Sequence, residues 1–175
     1  MDLRKRLYLF LESMKLRKAR RSSKNYVHYL REKGCSVGTH THIDPCSEID
    51  ITRPSLVTIG SNCYLNRGFT LLTHDWVTGV IKNVYGVFFN SSGHVTIGNN
   101  VGTGYNVTIL KGVTIGDNVF IAANSLVNRD IPSNTIVGGC PAKQICTWLE
   151  THKRKYSDFD TFIKAALIEK KIILS

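Results

Sequence analysis

The sequence lacks a CxxC pair, a long apolar run and, across its middle, any net charge of consequence. Its five cysteines, at positions 35, 46, 63, 140 and 146, are odd in number and scattered, which argues against a disulfide framework and against a cysteine-rich zinc site. They read as reduced thiols of a cytosolic protein. The nearest candidate for a leader or anchor, Leu7 to Leu11, is five residues long, shorter than a signal-peptide core and far short of a membrane span. The chain is therefore expected to be cytoplasmic, with Met1 at or near its mature start. No zinc-finger, RRM or helix-turn-helix pattern accompanies the basic residues, so nucleic acid is not an expected partner.

What is present fits one folded domain of 175 residues, 42% hydrophobic and 21% charged. The net charge of +10 sits at the ends. Residues 1–33 carry 11 basic and 3 acidic side chains, residues 34–142 carry 5 and 6, and residues 143–175 carry 7 and 4. In the first segment Leu3, Leu7, Phe10, Leu11 and Met14 recur at helical spacing, with Arg4, Lys5, Lys15, Arg17 and Lys18 largely off that stripe, which predicts a basic amphipathic helix. A second helix is expected from a cap at Ser22 or Ser23 to a stop at Gly34. Two readings of this arm stay open: contact of residues 1–21 with an anionic membrane surface, or packing on the protein's own body with a solvated charged face. At the other end, Ser157 and Asp160 form a capping box beside Phe159, Phe162, Ile163, Ala166 and Leu167, which predicts a further helix.

From Ile97 the chain reads IGNNVG, TGYNVT, ILKGVT, IGDNVF, IAANSL, VNRDIP, a period of six. The first position is aliphatic at Ile97, Ile109, Ile115, Ile121 and Val127, and the fifth is apolar at Val101, Val107, Val113, Val119 and Ile131. The fourth is always a turn former: Asn100, Asn106, Gly112, Asn118, Asn124, Asp130. Residues that tolerate tight or left-handed backbone at constant phase predict a short strand and a corner in every block. The aliphatic side chains then stack inward from coil to coil. The same frame shows at Val37, Ile43 and Ile49 and, after a four-residue slip, at Ile59, Leu65 and Leu71. Residues 73–94 break it. Since one coil cannot bury its own ladder, the stack must be continuous and the break must be a loop extruded from the body.

IGNNV, VTIGDNVFIAANSLV and IVGGCPAK closely resemble the hexapeptide-repeat acyltransferases, and the segment opening TLLTHDW is similar to the loop of their maltose, galactoside and polysaccharide O-acetyltransferase branch. The resemblance covers roughly residues 34–146. It implies an all-β core, a left-handed parallel β-helix of triangular section with the loop 73–94; the helical arm at 1–33 and the helical extension at 147–175 lie outside it. Its crossovers would be an exception to the right-handed rule. It further implies an acetyl-CoA-dependent O-acetyltransferase acting on a saccharide, a surface polysaccharide or its precursor, working as a homotrimer with active sites between subunits. An enzyme of the same fold acetylating an amino sugar, serine or an antibiotic, and a non-catalytic β-helix scaffold, stand as alternatives.

Counted forward from Leu71, His74 falls on the fourth, corner position at the mouth of the loop. An imidazole there faces outward and titrates near neutral pH, which suits a general base. The matching histidine of the resembled family takes the proton of the acceptor hydroxyl. Asp75 could orient that imidazole or solvate the loop, and with Trp76 it is a candidate acceptor contact. Trp76, Tyr85, Phe88 and Phe89 would offer flat apolar surface to a sugar ring or anchor the loop on a neighbouring subunit. The resemblance also implies that acetyl-CoA lies along the coils beyond the base, at Gly104, Ala122, Asn128, Arg129 and Lys143, with the two cations meeting its phosphates. His40, His42, His74 and His94 are the metal-ligand candidates, by analogy with gamma-type carbonic anhydrases. His94 has no neighbour at ligand spacing, and His40 and His42 share a face only if the corner between them permits it, so no metal is expected. Cys46 and Cys63, close to one coil apart, read as buried free thiols.

Overall fold

A computed structural model describes residues 3–147. The helix expected from Ser157 lies outside those residues. From Ile97 the corner rule holds in every block but the last: Asn100, Asn106, Gly112, Asn118 and Asn124, like Asn62 and Gly68 before them, turn the chain with φ between 56° and 79°, and Asp130, also expected at a corner, does not. Glycine reaches this region freely, and asparagine reaches it more readily than other side chains do. His40, fourth in its own block, adopts φ 54° as well.

Between corners the strands of the first four coils are two or three residues long. After helices α1 (Leu3–Ala19) and α2 (Ser23–Lys33) come β1 (Ser36–Val37), β2 (His42–Ile43) and β3 (Glu48–Ile49), which form the first coil. The second coil is β4 (Val57–Ile59), β5 (Tyr64–Leu65) and β6 (Thr70–Leu71). Helix α3 (Val77–Tyr85) follows, inside what the pattern shows only as a loop. The third coil is β7 (Val95–Ile97), β8 (Gly102–Thr103) and β9 (Thr108–Ile109), and the fourth is β10 (Thr114–Ile115), β11 (Phe120–Ile121) and β12 (Leu126–Val127). A fifth begins with β13 (Thr135–Gly138), on which β14 (Lys143–Thr147) folds back antiparallel. The strands stack in three sheets, ordered β1-β4-β7-β10, β2-β5-β8-β11-β13-β14 and β3-β6-β9-β12. Every pairing but the last is parallel, and the coil is the left-handed parallel β-helix.

Register gives the coil length. On the first sheet Thr96 pairs with Thr114, one regular turn of three hexapeptides. Ser36 pairs with Thr58, a step four residues longer, and Thr58 pairs with Thr96, a step twenty longer. Phe120 pairs with Ile136, a step two shorter. All three departures fall between the third sheet and the first, after Ile49, after Leu71 and after Val127. Ile131, expected at a fifth position, instead bridges Ile115 in parallel and so opens the next block two residues early. Asn134, three residues on, supplies that block's corner at φ 64°.

The ladder is dry. Ile43, Val57, Leu65, Phe69, Leu71, Val95, Val107, Ile109, Val119 and Ile121 are fully buried. Each such side chain stabilises the fold by roughly 1.5–3 kcal/mol relative to exposure. Outside, asparagine side chains at the corners bond from coil to coil, Asn100 to Asn118 and Asn118 to Asn134, both at 2.9 Å.

Helix α2 covers the open end of the first coil, burying Tyr26, Val27, Tyr29 and Leu30. Ser22 caps it, accepting from the Asn25 amide at 3.2 Å, and Gly34 at φ 103° ends it. Helix α1 rests on α2 through Glu12, Leu16 and Ala19, with Glu12 paired to Lys33 and Lys15. Its predicted apolar stripe is not what packs: Leu7, Phe10, Leu11 and Met14 are exposed. Among the described residues no helix is long and apolar enough to cross a membrane.

Candidate functional site

The long insertion leaves and re-enters the stack at one corner. Leu71 is buried at the end of β6, but the backbone then takes no left-handed turn at His74. His74 instead forms an antiparallel bridge with Ser92, and the Gly93 amide donates to the Thr73 carbonyl at 2.8 Å. His74 is thus the stem of the loop, and its phase does not make it a structural equivalent of the corner asparagines.

The residue that holds the ring comes from the coil below. Asp50 follows Ile49 in sequence as Leu72 follows Leu71, and its amide donates to the Leu71 carbonyl at 2.9 Å. The His74 Nδ1 lies 2.6 Å from Asp50 Oδ2. The same oxygen accepts from the Thr73 amide at 3.1 Å and the Thr73 hydroxyl at 2.5 Å, while Oδ1 accepts from the Thr52 amide at 3.0 Å. Burial alone would raise the Asp50 pKa, but the hydrogen bonds from Thr73, Thr52 and His74 outweigh it and hold the carboxyl well below the usual carboxylate range. An ionised carboxylate only accepts, so the ring proton sits on Nδ1 and the neutral imidazole keeps a lone pair at Nε2. The side chain of His74 is 37% exposed and that of Asp50 9%, so the imidazole is reachable while its partner is shielded.

Asp75, the orienting candidate in the sequence, turns away from His74. Its Oδ2 is 2.7 Å from Lys111 Nζ, and Oδ1 accepts from the Ser91 hydroxyl at 2.9 Å and the Val77 amide at 3.1 Å. The Lys111 ammonium also donates to the Ser91 carbonyl at 3.2 Å. Hydrogen bonding from Lys111 is the main cause holding the Asp75 carboxyl below its ordinary value. Lys111 stands on the coil above Thr73, so this cluster pins both strands of the loop stem to the stack. Arg53, from the four-residue insertion, reaches Asn90 at 2.8 Å. Beyond the stem the aromatics are open to solvent: Trp76 is 79% exposed and Tyr85 74%.

The five positions expected to meet acetyl-CoA fall in two columns. Asn128 and Arg129, both exposed, follow β12 at the same edge as His74, two coils above it, about 10 Å at the strand spacing. Gly104 and Ala122 stack on the next edge, between the second and third sheets, with Lys143 opposite Gly138 above them. The third sheet separates the columns. A Cβ on Gly104 would lie 2.4 Å from the Ala123 amide nitrogen, so coil spacing alone already demands glycine there.

Among the described residues no three His, Cys, Asp or Glu side chains are grouped as metal ligands. His94 Nε2 is 2.9 Å from the Thr58 hydroxyl, and the His42 ring stacks on Tyr64 at 5.8 Å. Cys63 is a buried free thiol as expected, but Cys46 is exposed and does not stack on it; Cys63 sits over Thr41, whose hydroxyl accepts its amide at 3.2 Å. The four-residue insertion shifts the register that their spacing suggests.

Asp50, Thr73 and Lys111 are the site residues that motif reading misses. The signal for Asp50 was present, since the slip that brings Ile49 beneath Leu71 also brings the next residue beneath the loop stem.

The model of the bacterial transferase hexapeptide, described as six repeats, matches residues 94–129. Protein CapG of Staphylococcus aureus is 35% identical over 152 residues, 83% of this chain and 84% of that protein. The galactoside O-acetyltransferase of Escherichia coli (strain K12) is 33% identical over 135 residues, 66% of this chain and 65% of its own length. Among solved structures, a galactoside acetyltransferase in complex with coenzyme A superposes with a TM-score of 0.62 at 27% identity, over 82% of each chain.

Proposed function

Because the chain belongs to the hexapeptide-repeat acetyltransferase family, we propose that it transfers an acetyl group from acetyl-CoA to a hydroxyl of a saccharide, with His74 as general base. The observation that carries this reading is the Asp50–His74 pair at 2.6 Å, a shielded carboxylate fixing the tautomer of an accessible imidazole. An alcohol is a weak nucleophile at neutral pH, and a positioned base contributes about 10²- to 10⁴-fold. Bound acetyl-CoA supplies the thioester carbonyl that is attacked. His74 Nε2 takes the hydroxyl proton as the acceptor oxygen bonds to that carbon, and gives it back to the sulfur as the carbon–sulfur bond breaks. The ionised Asp50 offsets the charge the ring carries in between, and Thr73 and Thr52 keep that carboxylate in place.

The residues present fit the donor. Arg129 is a cation on the edge of the base, and Lys143 is a cation on the neighbouring edge beside the shallow Gly104–Ala122 column, so each edge offers a partner for phosphate oxygens. In a homotrimer, the Gly104 edge of one subunit would face the His74 edge of the next, and the exposed aromatics of the loop would be covered. The saccharide class is supported by the galactoside relative and by Trp76, whose open ring face suits a sugar.

Incubation with acetyl-CoA and a panel of glycans, read by release of free thiol and by the mass gain of one acetyl group, tests the proposal. Acetylation of a sugar that disappears in His74→Ala supports it. Thiol release with serine and with no sugar would transfer the reading to another acceptor class, and failure of the unmodified protein to bind CoA would favour a scaffold.

A further inference from the structure

Helix α1 leaves Leu7, Phe10, Leu11 and Met14 on the side turned away from the protein. With 3.6 residues per turn, Leu7, Phe10, Leu11 and Met14 fall within an arc of about 100°, and Glu12, Leu16 and Ala19, which meet α2, fall roughly opposite. The four apolar side chains are between 43% and 59% exposed, beyond what isolated surface leucines explain because they form one continuous strip. Arg6 and Arg17 border the strip on one side and Lys15 on the other, and Lys18 continues it one turn beyond Met14, all exposed. The single acidic residue of the helix, Glu12, lies on the inner side and is engaged by Lys33 and Lys15.

We propose that this face of α1 lies on an anionic lipid bilayer, with the apolar strip at the acyl boundary and the basic borders among the phosphate headgroups. From Leu7 to Met14 the strip is about 10 Å long, and the cations from Arg6 to Lys18 extend it to about 18 Å. The outward face thus offers apolar side chains beside cations, the two kinds of group an anionic bilayer surface engages. A second copy of the chain complements it poorly. Two such faces brought together would set arginine and lysine against arginine and lysine, with no carboxylate on either border to meet them. The inference rests on α1 alone and does not depend on the acetyl-transfer reading.

Co-flotation of the full-length protein with vesicles tests it. The protein is expected to float with vesicles of phosphatidylglycerol and phosphatidylcholine, to bind pure phosphatidylcholine at least about tenfold more weakly, and to be released as salt is raised. Leu7→Glu with Phe10→Glu should abolish flotation while thermal melting and solution mass stay as in the parent. Phe10→Trp provides a second readout, a blue-shifted emission that appears only with anionic vesicles. No flotation with anionic vesicles overturns the proposal. So does a fall in oligomer mass in the Leu7→Glu, Phe10→Glu protein, which would mean that the strip is buried between copies.

Discussion

The stacked coils and the segments attached to them obey opposite rules of burial. In the stack, the inward aliphatic positions from Ile43 to Ile121 are almost fully buried because each coil covers the one below. In α1 and in the loop around α3, Leu7, Phe10, Trp76, Val84 and Tyr85 are 58–79% exposed. A periodic sequence completes its own core and needs nothing else. Helix α1 and the loop around α3, unlike α2, carry apolar side chains that the described residues leave uncovered. The Asp50–His74 pair sits on the junction: the carboxylate belongs to the rigid stack, while the imidazole stands where the loop departs.

That contrast can be tested by substitution, beginning where the effect is largest. His74→Ala should lower kcat by about 10²- to 10⁴-fold with unchanged melting and CoA affinity, measured by thiol release and calorimetry. Asp50→Asn should cost about 10²-fold in kcat, because the amide no longer dictates the tautomer. It also changes the acid limb of stability. A carboxyl whose folded pKa is depressed binds fewer protons when native than when unfolded, so its contribution is present above roughly pH 4, the ordinary value for Asp, and is lost as pH falls toward the folded value. Denaturant titrations should therefore show the parent losing more stability than Asp50→Asn on acidification through that window.

Within the stack, Gly104→Ala should destabilise by about 1–3 kcal/mol, since the added methyl runs into the Ala123 backbone. Asn118→Ala should cost about 1–2 kcal/mol through its left-handed φ of 57°. An attached position gives the control: Val84→Ser, on the exposed side of α3, should change stability by no more than about 0.5 kcal/mol. Smallest of all, Lys111→Met should leave melting unchanged and raise the acceptor KM by a few fold, because it frees Asp75 and Ser91 at the loop stem without touching the base.

The coils were legible because their determinants are local: an aliphatic residue, a turn former three positions on, and a repeat of both. Even the four-residue slip could be counted from Ile49 to Ile59. Ile131 was misread because the last block loses two residues, and a shortened turn still leaves an apolar side chain in an apparently correct phase. His74 was legible as a residue at the mouth of an interruption. Its partner was not, because contact between Asp50 and His74 is made by stacking, across 24 positions, and sequence adjacency pointed to Asp75 instead. Helix α3 did have a local signal, Val77, Val80, Ile81 and Val84 at helical spacing, but residues 73–94 were read only as a break in the six-residue period. Nor does the charge of α1 reveal which of its faces meets α2.

The three irregular steps in register all open at a single vertex of the prism, after Ile49, Leu71 and Val127, while the other two vertices run without insertion. That vertex behaves as a socket. Across the long insertion Thr58 still pairs with Thr96, and Thr70 with Thr108. Under the proposed function, changes in the loop beyond the stem would alter acceptor contacts, while Asp50, which holds the His74 ring, stays in the frame.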